Sequence, residues 1–583
     1  VSIEVSQKVD KKMKDARSIC KAQQLIDGVS PLTRPYLAEG VLVGIVDQEF
    51  QVNHINFYNS DDQSTLRIKR FLNQDNGKEY TDQASIEAAK YDVSYMESGH
   101  ATHVLGMAAG SDLTTDYYGT AQKAEIVAVG TTGEDADLSD GVKYIFDSAD
   151  EVGKPCVINI SMGGLLGPHD GTETCNRVIE SLIGPGRLVV AAAGNSGDQP
   201  MHVGKTLNGN DSLKTFVDLY YEFWYNYTLI DIWGEENQDY EVSFVVYSKS
   251  GDSIVAASPF FKALNDTSVS INLKKYAKKS GVDVSLDIAA GQNQYNNRGN
   301  IYVEYTKDDI PSNCYFGIIA RGDSGTVNMW TYDQIAGFTD NNLSSRGWSD
   351  GDADLTIGTG VGDTRNVITV GSTTSKDISD FSSKGPLTTG QTKPEITAPG
   401  EYIISSIPDK NSLSYYREES TTVNGTTYYY GEMSGTSMAS PYCTGVVACW
   451  LEVNNNLTYE DIMEIFQNTA KQDSYTGSVP NNTWGYGKLD AYAGLLYILG
   501  NKNDVNDITE QQKVIGYFGN GVAHIAGVSG DVRISVVDMS GKTVYSGTYG
   551  NVAMDDEVTI DMSDMPNGIY VINVNGENIK LIK

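Results

Sequence analysis

The chain has 583 residues, with 43 Lys and Arg against 76 Asp and Glu, a net charge of −33. Its apolar fraction of 40% and charged fraction of 20% belong to a folded chain rather than a disordered one, and its length suggests about four domains. So acidic a chain repels phosphates, which argues against nucleic acid as a partner, and no apolar run reaches the roughly 18 residues of a membrane span.

The chain opens on Val1 with no visible signal peptide, as it would after removal of a leader. Six cysteines (Cys20, Cys156, Cys175, Cys314, Cys443, Cys449) are too few and scattered for a disulfide framework. Cys156, Cys443 and Cys449 lie in apolar stretches and read as buried thiols. From about Ala38 to Gly197, short apolar runs alternate with helical patterns. The runs 41–46, 124–129, 156–160 and 188–192 read as strands buried on both faces. Ser139 can cap a helix carrying Val142, Ile145, Phe146 and Ala149 on one face. Strands alternating with helices imply a parallel sheet covered on both sides, with functional groups at the carboxyl ends of its strands.

From about Asp198 to Ala336 period-two alternation, as in Tyr240–Phe244, indicates half-exposed antiparallel strands. The aromatic stretch Tyr220–Tyr227 reads either as sandwich core or as a platform for sugars or peptides. The α/β character returns near Gly337, with a buried strand at 366–370. Thr458-Tyr459-Glu460-Asp461 has capping-box form and opens a helix with Ile462, Ile465 and Phe466. A polar stretch, 501–509, reads as a linker, and the short strands near 532–537, 543–546, 558–562 and 569–574 as a small all-β terminal domain.

The chemistry centres on Gly435-Thr436-Ser437-Met438-Ala439-Ser440-Pro441. Small residues around Ser437 leave its hydroxyl open, and a helix starting there aims free N–H groups at any negative charge forming nearby. Pro441 reads as a first-turn residue. A serine nucleophile needs a base, and the chain has six histidines. His100 and His103 lie in Ser98-Gly99-His100-Ala101-Thr102-His103-Val104-Leu105-Gly106, three apart and without the adjacent Glu of a zinc HExxH helix. One is expected to be the base and the other a packed structural residue. Asp47, ending the first buried strand, can orient the imidazole; taken alone it is also a plausible turn residue. Asn195, in Ala191-Ala192-Ala193-Gly194-Asn195-Ser196-Gly197, can donate to an oxyanion.

The order Asp47, His100, Asn195, Ser437 is the Asp…His…Ser order of subtilisin. With Ile45-Val46-Asp47, the His100 and Ser437 strings, Ala192–Asn195, Ser161-Met162-Gly163, Phe381–Pro386 and Lys393–Gly400, the chain resembles the subtilisin-like serine peptidases, or subtilases, over about 20–198 and 336–498. The resemblance implies an α/β fold, a three-layer subtilisin-like parallel sheet. A peptidase domain at 20–198 and 336–500 would be interrupted by a β-rich insertion at 199–335 and followed by a C-terminal β-sandwich at 511–583. It implies a serine endopeptidase acting on protein or peptide substrates through an acyl-enzyme. Ser437 would be nucleophile, His100 base, Asp47 orienting acid and Asn195 oxyanion donor. Ser161, Met162, Gly163, Ala193 and Gly194 would be the substrate-binding backbone. Two positions depart from the family pattern: Gln48-Glu49 follow Asp47, and Ala101 stands where Gly is usual. Glu49 either adds charge near the triad or points to solvent.

Residues 1–19 look either like the tail of a subtilase propeptide, which would make that propeptide a partner, or like an ordinary N-terminal arm. Asn195 and Ser437 stand 242 residues apart. The intervening segment is expected to wall the substrate cleft. The last 70 or so residues resemble C-terminal sorting domains of secreted Bacteroidetes proteins, which implies export to the surface or medium. No cofactor is required by this chemistry; calcium is common in the family as a structural ion, but no stretch has EF-hand spacing. The competing function is a subtilase-fold binding module with weak or no catalysis. An α/β-hydrolase esterase would need Ser…Asp…His order and a G-x-S-x-G turn, which the chain lacks.

Overall fold

The continuous apolar runs become the middle of an eight-stranded sheet. In the computed structural model, which describes residues 13–220, 225–278, 280–332, 334–500, 515–519, 522–526, 530–538, 542–552, 558–566, 568–575 and 577–583, its strands are β1 (Leu42–Asp47), β2 (Ile68–Asn73), β3 (Lys78–Tyr80), β4 (Glu125–Gly130), β5 (Cys156–Ile160), β6 (Arg187–Ala192), β7 (Ile368–Thr373) and β8 (Ile396–Pro399). Their order is β8-β7-β6-β5-β1-β4-β2-β3. Every pair is parallel except β2 with β3. One face is covered by the helices His100–Ala109 and Thr436–Leu451, which pack on each other over a core that includes Val104, Leu105 and Val446. The other is covered by Asp135–Val152 and Thr174–Leu182 over Val142, Ile145, Phe146 and Ile179. β1, β5 and β6 therefore end side by side, at Asp47, Ile160 and Ala192.

Residues 202–339 form two six-stranded sheets facing each other across one apolar core. Tyr240–Ser248 is an interior strand of one of them. It is buried almost throughout rather than half-exposed, because Val245 and Tyr247 pack outward against Phe216, Leu343 and Trp348. In the aromatic stretch, Tyr220, Tyr225 and Tyr227 are exposed, so these three are not core; residues 221–224 lie outside the described residues. The C-terminal strands form a three-stranded and a four-stranded sheet.

Local signals hold to different degrees. Thr458 and Asp461 form the reciprocal capping box. Ser139 is not a cap: the helix starts at Asp135, and the Ser139 hydroxyl donates to Ala136 O. Met13–Ile19 is a helix whose Arg17 is buried, donates to the carbonyls of Asp116 and Tyr118, and stacks on the Tyr118 ring. Residues 1–12 and the linker 501–509 lie outside the described residues. All six cysteines are free thiols.

A buried ammonium ties β7 and β8 together. Lys393 Nζ donates to Thr364 O (3.0 Å), Val367 O (2.7 Å) and Thr369 Oγ1 (3.0 Å), and lies 2.7 Å from Glu395 Oε1. Glu395 Oε2 accepts from Thr369 N and Oε1 from Tyr459 Oη. Removing one member of such a pair strands the other charge in the interior. Lys393→Met is expected to lower unfolding free energy by about 3–5 kcal/mol, read from the urea midpoint at unchanged m.

Candidate active site

β1 delivers Asp47 to the sheet edge, 1% exposed. Its Oδ1 accepts from Gln48 N (2.7 Å) and faces His100 Nδ1 at 2.8 Å. His100 begins its helix behind Gly99, whose φ of +79° and closeness to Pro408 admit no side chain. Burial alone would lower the imidazole pKa; the charge and hydrogen bond of Asp47, then the charge of Glu49, outweigh it, and the pKa is raised. A neutral His100 thus carries its Nδ1 proton toward Asp47, which leaves Nε2 as an acceptor.

Glu49 does not point to solvent. Its carboxylate accepts from the main-chain N–H groups of Glu97, Ser98, Gly99 and His100 and from the Ser98 hydroxyl, covering the positive end of the His100 helix. Burial acts to raise its pKa, but these donors prevail and hold it below the usual carboxylate range. Ala101, where glycine is usual, is buried and donates to Gln48 O. His103 is the packed histidine: it is fully buried, its Nε2 lies 3.0 Å from Ile403 O and 3.1 Å from Gly431 O, and burial pushes its pKa down to about 3.

Ser437 lies in the first turn of its helix, which starts at Thr436, so Pro441 falls beyond the first turn rather than within it. Pro441 has no N–H for the carbonyl four residues back, Ser437 O; the Ser161 hydroxyl donates to it instead, at 3.1 Å. Ser161 Oγ in turn accepts from Asn159 Nδ2 (2.9 Å), while Asn159 Oδ1 accepts from Ser440 (2.5 Å) and Thr444 (3.1 Å). The Ser437 hydroxyl donates to Ser161 O at 3.2 Å and makes no hydrogen bond to His100 in this conformation. Such contacts commonly tighten only when substrate is bound.

Asn195 follows β6 on a turn in which Gly194 has φ +107°. Its Oδ1 accepts from Thr436 N (2.9 Å) and Thr436 Oγ1 (3.0 Å). Both partners are donors, so the oxygen faces them and the NH2 group points away, free to donate. Asn195 and Ser437 line a cavity of about 360 Å³ with Ser161, Met162, Gly163 and Gly194. Ala193 is absent from that lining: it is buried, and its N–H and C=O are spent on Val370 and Gly358. Among the lining residues not anticipated from the sequence are Asp135, Tyr332 and Gln334, the last two from the inserted sandwich. Thr436 and Asn159 were also missed, although a lone amide in the apolar run 156–160 was a visible signal.

Calcium finds no evident cage: among the described residues no group of three or more His, Cys, Asp or Glu side chains is placed to hold a metal ion. At Lys393, carbonyls and a carboxylate converge on an ammonium of the chain's own. No described helix is long and apolar enough to cross a membrane.

Comparison with known proteins bears on the family, the fold and the C-terminal domain. Residues 520–583 match the secretion system C-terminal sorting domain, which indicates export to the cell surface. The chain is 25% identical over 476 residues to the minor extracellular protease Vpr of Bacillus subtilis, covering 78% of this chain and 51% of that protein. It is 38% identical over 138 residues to the serine protease AprX of the same organism, 22% of this chain and 30% of that protein. It thus spans about half or less of these curated relatives. The structure of the Clostridium perfringens CspB protease shares the fold, with a TM-score of 0.67 at 22% identity over 83% of this chain and 99% of that one. The Subtilase family model matches residues 38–221 and 265–487, well over half of the sequence, and the chain belongs to the subtilase family.

Proposed function

We propose that this chain is a secreted serine endopeptidase that cleaves proteins or peptides through an acyl-enzyme at Ser437. The observations that carry the reading are the 2.8 Å contact of buried Asp47 with His100 and a cavity lined by both Ser437 and Asn195. A rotation about the Ser437 Cα–Cβ bond turns Oγ from Ser161 O toward the base. Oγ then attacks the scissile carbonyl as His100 Nε2 takes its proton, with Asp47 holding the Nδ1 proton and stabilising the imidazolium. The oxyanion is met by Asn195 Nδ2 and the Ser437 N–H at the positive end of the helix. His100 passes its proton to the leaving amine, and water, activated by the same base, releases the acyl group. The exposed Gly163 edge of the strand that follows β5 offers backbone groups to an extended peptide.

One observation favours the alternative of a catalytically silent binding module: the Ser437 hydroxyl rests on Ser161 O. A fluorophosphonate probe separates the two. Wild type is expected to be labelled and Ser437→Ala not; absence of labelling in wild type leaves the binding module. Ser437→Ala and His100→Ala should each remove roughly 10⁶-fold in kcat on a peptide amide, because the triad acts as a unit.

Asn195→Ala, which deletes the side-chain donor, is expected to lower kcat by about 10²–10³-fold with little change in KM. A similar loss in KM alone would move Asn195 from oxyanion donor to substrate contact.

The Glu49 charge raises the His100 pKa, and the base works only when neutral. Activity is therefore lost as pH falls through that pKa. Glu49→Gln is expected to shift the acid limb of the kcat/KM profile to lower pH; an unmoved limb would remove Glu49 from the electrostatics of the base.

A further inference from the structure

The inserted sandwich does not merely sit beside the cavity. Past the end of β5 the chain runs through Ser161–Gly163 into a loop that is held from the insertion side. Gly167 N donates to Asp231 Oδ2 at 2.7 Å; that oxygen also accepts from Trp233 Nε1 (2.8 Å), and Oδ1 from Asn300 Nδ2 (2.5 Å). Arg298 Nη1 donates to Pro168 O (2.9 Å), Asp170 Oδ2 (2.8 Å) and Thr388 Oγ1 (3.0 Å), while its Nε holds Gly234 O (2.7 Å). Asp231 is 4% exposed and Arg298 8%. Between them His169 stacks on the fully buried Trp330, with ring centroids 4.2 Å apart. On the opposite wall Gln334 Nε2 donates to Asn195 O at 3.0 Å.

We propose that the insertion is part of the peptide-binding apparatus, with Asp231, Arg298 and Gln334 as positioning residues that set the two walls of the cavity. Asp231 and Arg298 fix the loop behind the Ser161–Gly163 edge, and Gln334 fixes the turn that carries Asn195. A chain pairing with that edge over several residues needs the edge held in register, because a strand offered as a template binds through successive main-chain groups. A ligand that reaches only the first pocket depends on it far less. The ligand class is therefore the extended peptide, and the order is imposed by charge-assisted hydrogen bonds from outside the peptidase sheet. This extends the peptidase reading, but its binding claim stands on separate ground.

The test uses the full chain carrying Ser437→Ala, so that binding is read without turnover. Fluorescence anisotropy with a fluorescein-labelled random octapeptide mixture gives Kd, and a dipeptide mixture gives the comparison. Adding Arg298→Met is expected to raise the octapeptide Kd at least tenfold, and Gln334→Leu severalfold, with a much smaller change for dipeptides; Arg298→Lys should recover part of the loss. In the active chain Arg298→Met should raise KM for long peptides while kcat moves less than about twofold. Gln334 is exposed, so its variant remains folded even where Arg298→Met does not. Octapeptide Kd values within twofold of the Ser437→Ala parent would overturn the proposal, as would equal losses for both mixtures that track a fall in Tm. Failure of the wild type to hydrolyse or label would refute the peptidase reading and leave this binding result to be judged by itself.

Discussion

One buried amide sets the relation between the helix that carries Ser437 and the sheet. Asn159 faces the helix from the middle of β5 and takes two of its hydroxyls, those of Ser440 and Thr444. Its other end holds Ser161, which fills the hydrogen bond that Pro441 cannot make. A proline beyond the first turn would ordinarily cost helix stability. Here the vacancy lets Ser161, just past the end of β5, bond to the main chain of Ser437. Register between hydroxyl and edge is thereby fixed by four side chains in the buried interior, where an unpaired polar group would be costly.

The His100 helix is placed by different physics. Its start has no capping side chain of its own, and Gly99 contributes none. The Glu49 carboxylate, arriving from the turn after β1, takes over that role and adds its charge to the surroundings of the imidazole. Structure and electrostatics are joined in one residue: the group that satisfies the helix N-terminus is one of those that raise the pKa of His100. Glu49 itself sits at φ +74°, and its N–H is held by Asp92.

Much of this was legible in the sequence for a simple reason. Strands buried on both faces are written as unbroken apolar runs, and groups at their ends announce themselves as the first polar residue after the run, as with Asp47 and Asn195. The Thr458 box was equally local. What escaped was whatever depends on a partner far along the chain. Glu49 stayed open between charge near the triad and solvent, because its donors lie some fifty positions away. Tyr240–Ser248 looked half-exposed because its outer face is covered by Trp348 and Leu343, a hundred residues on. Ala193 belonged to the right motif, but the motif records sequence, not which of its atoms the sheet has already consumed. Gln334 carries no local signal at all; only the return of the chain to the sheet places it beside Asn195.

That return has a temporal consequence. Gly194 and Thr436, hydrogen-bonded neighbours in the folded molecule, are 242 positions apart. At a ribosomal pace of roughly 5–20 residues per second, the half of the site bearing Asp47, His100 and Asn195 waits on the order of ten to fifty seconds for Ser437. Throughout that interval the nascent chain cannot close the cavity that Asn195 and Ser437 line together.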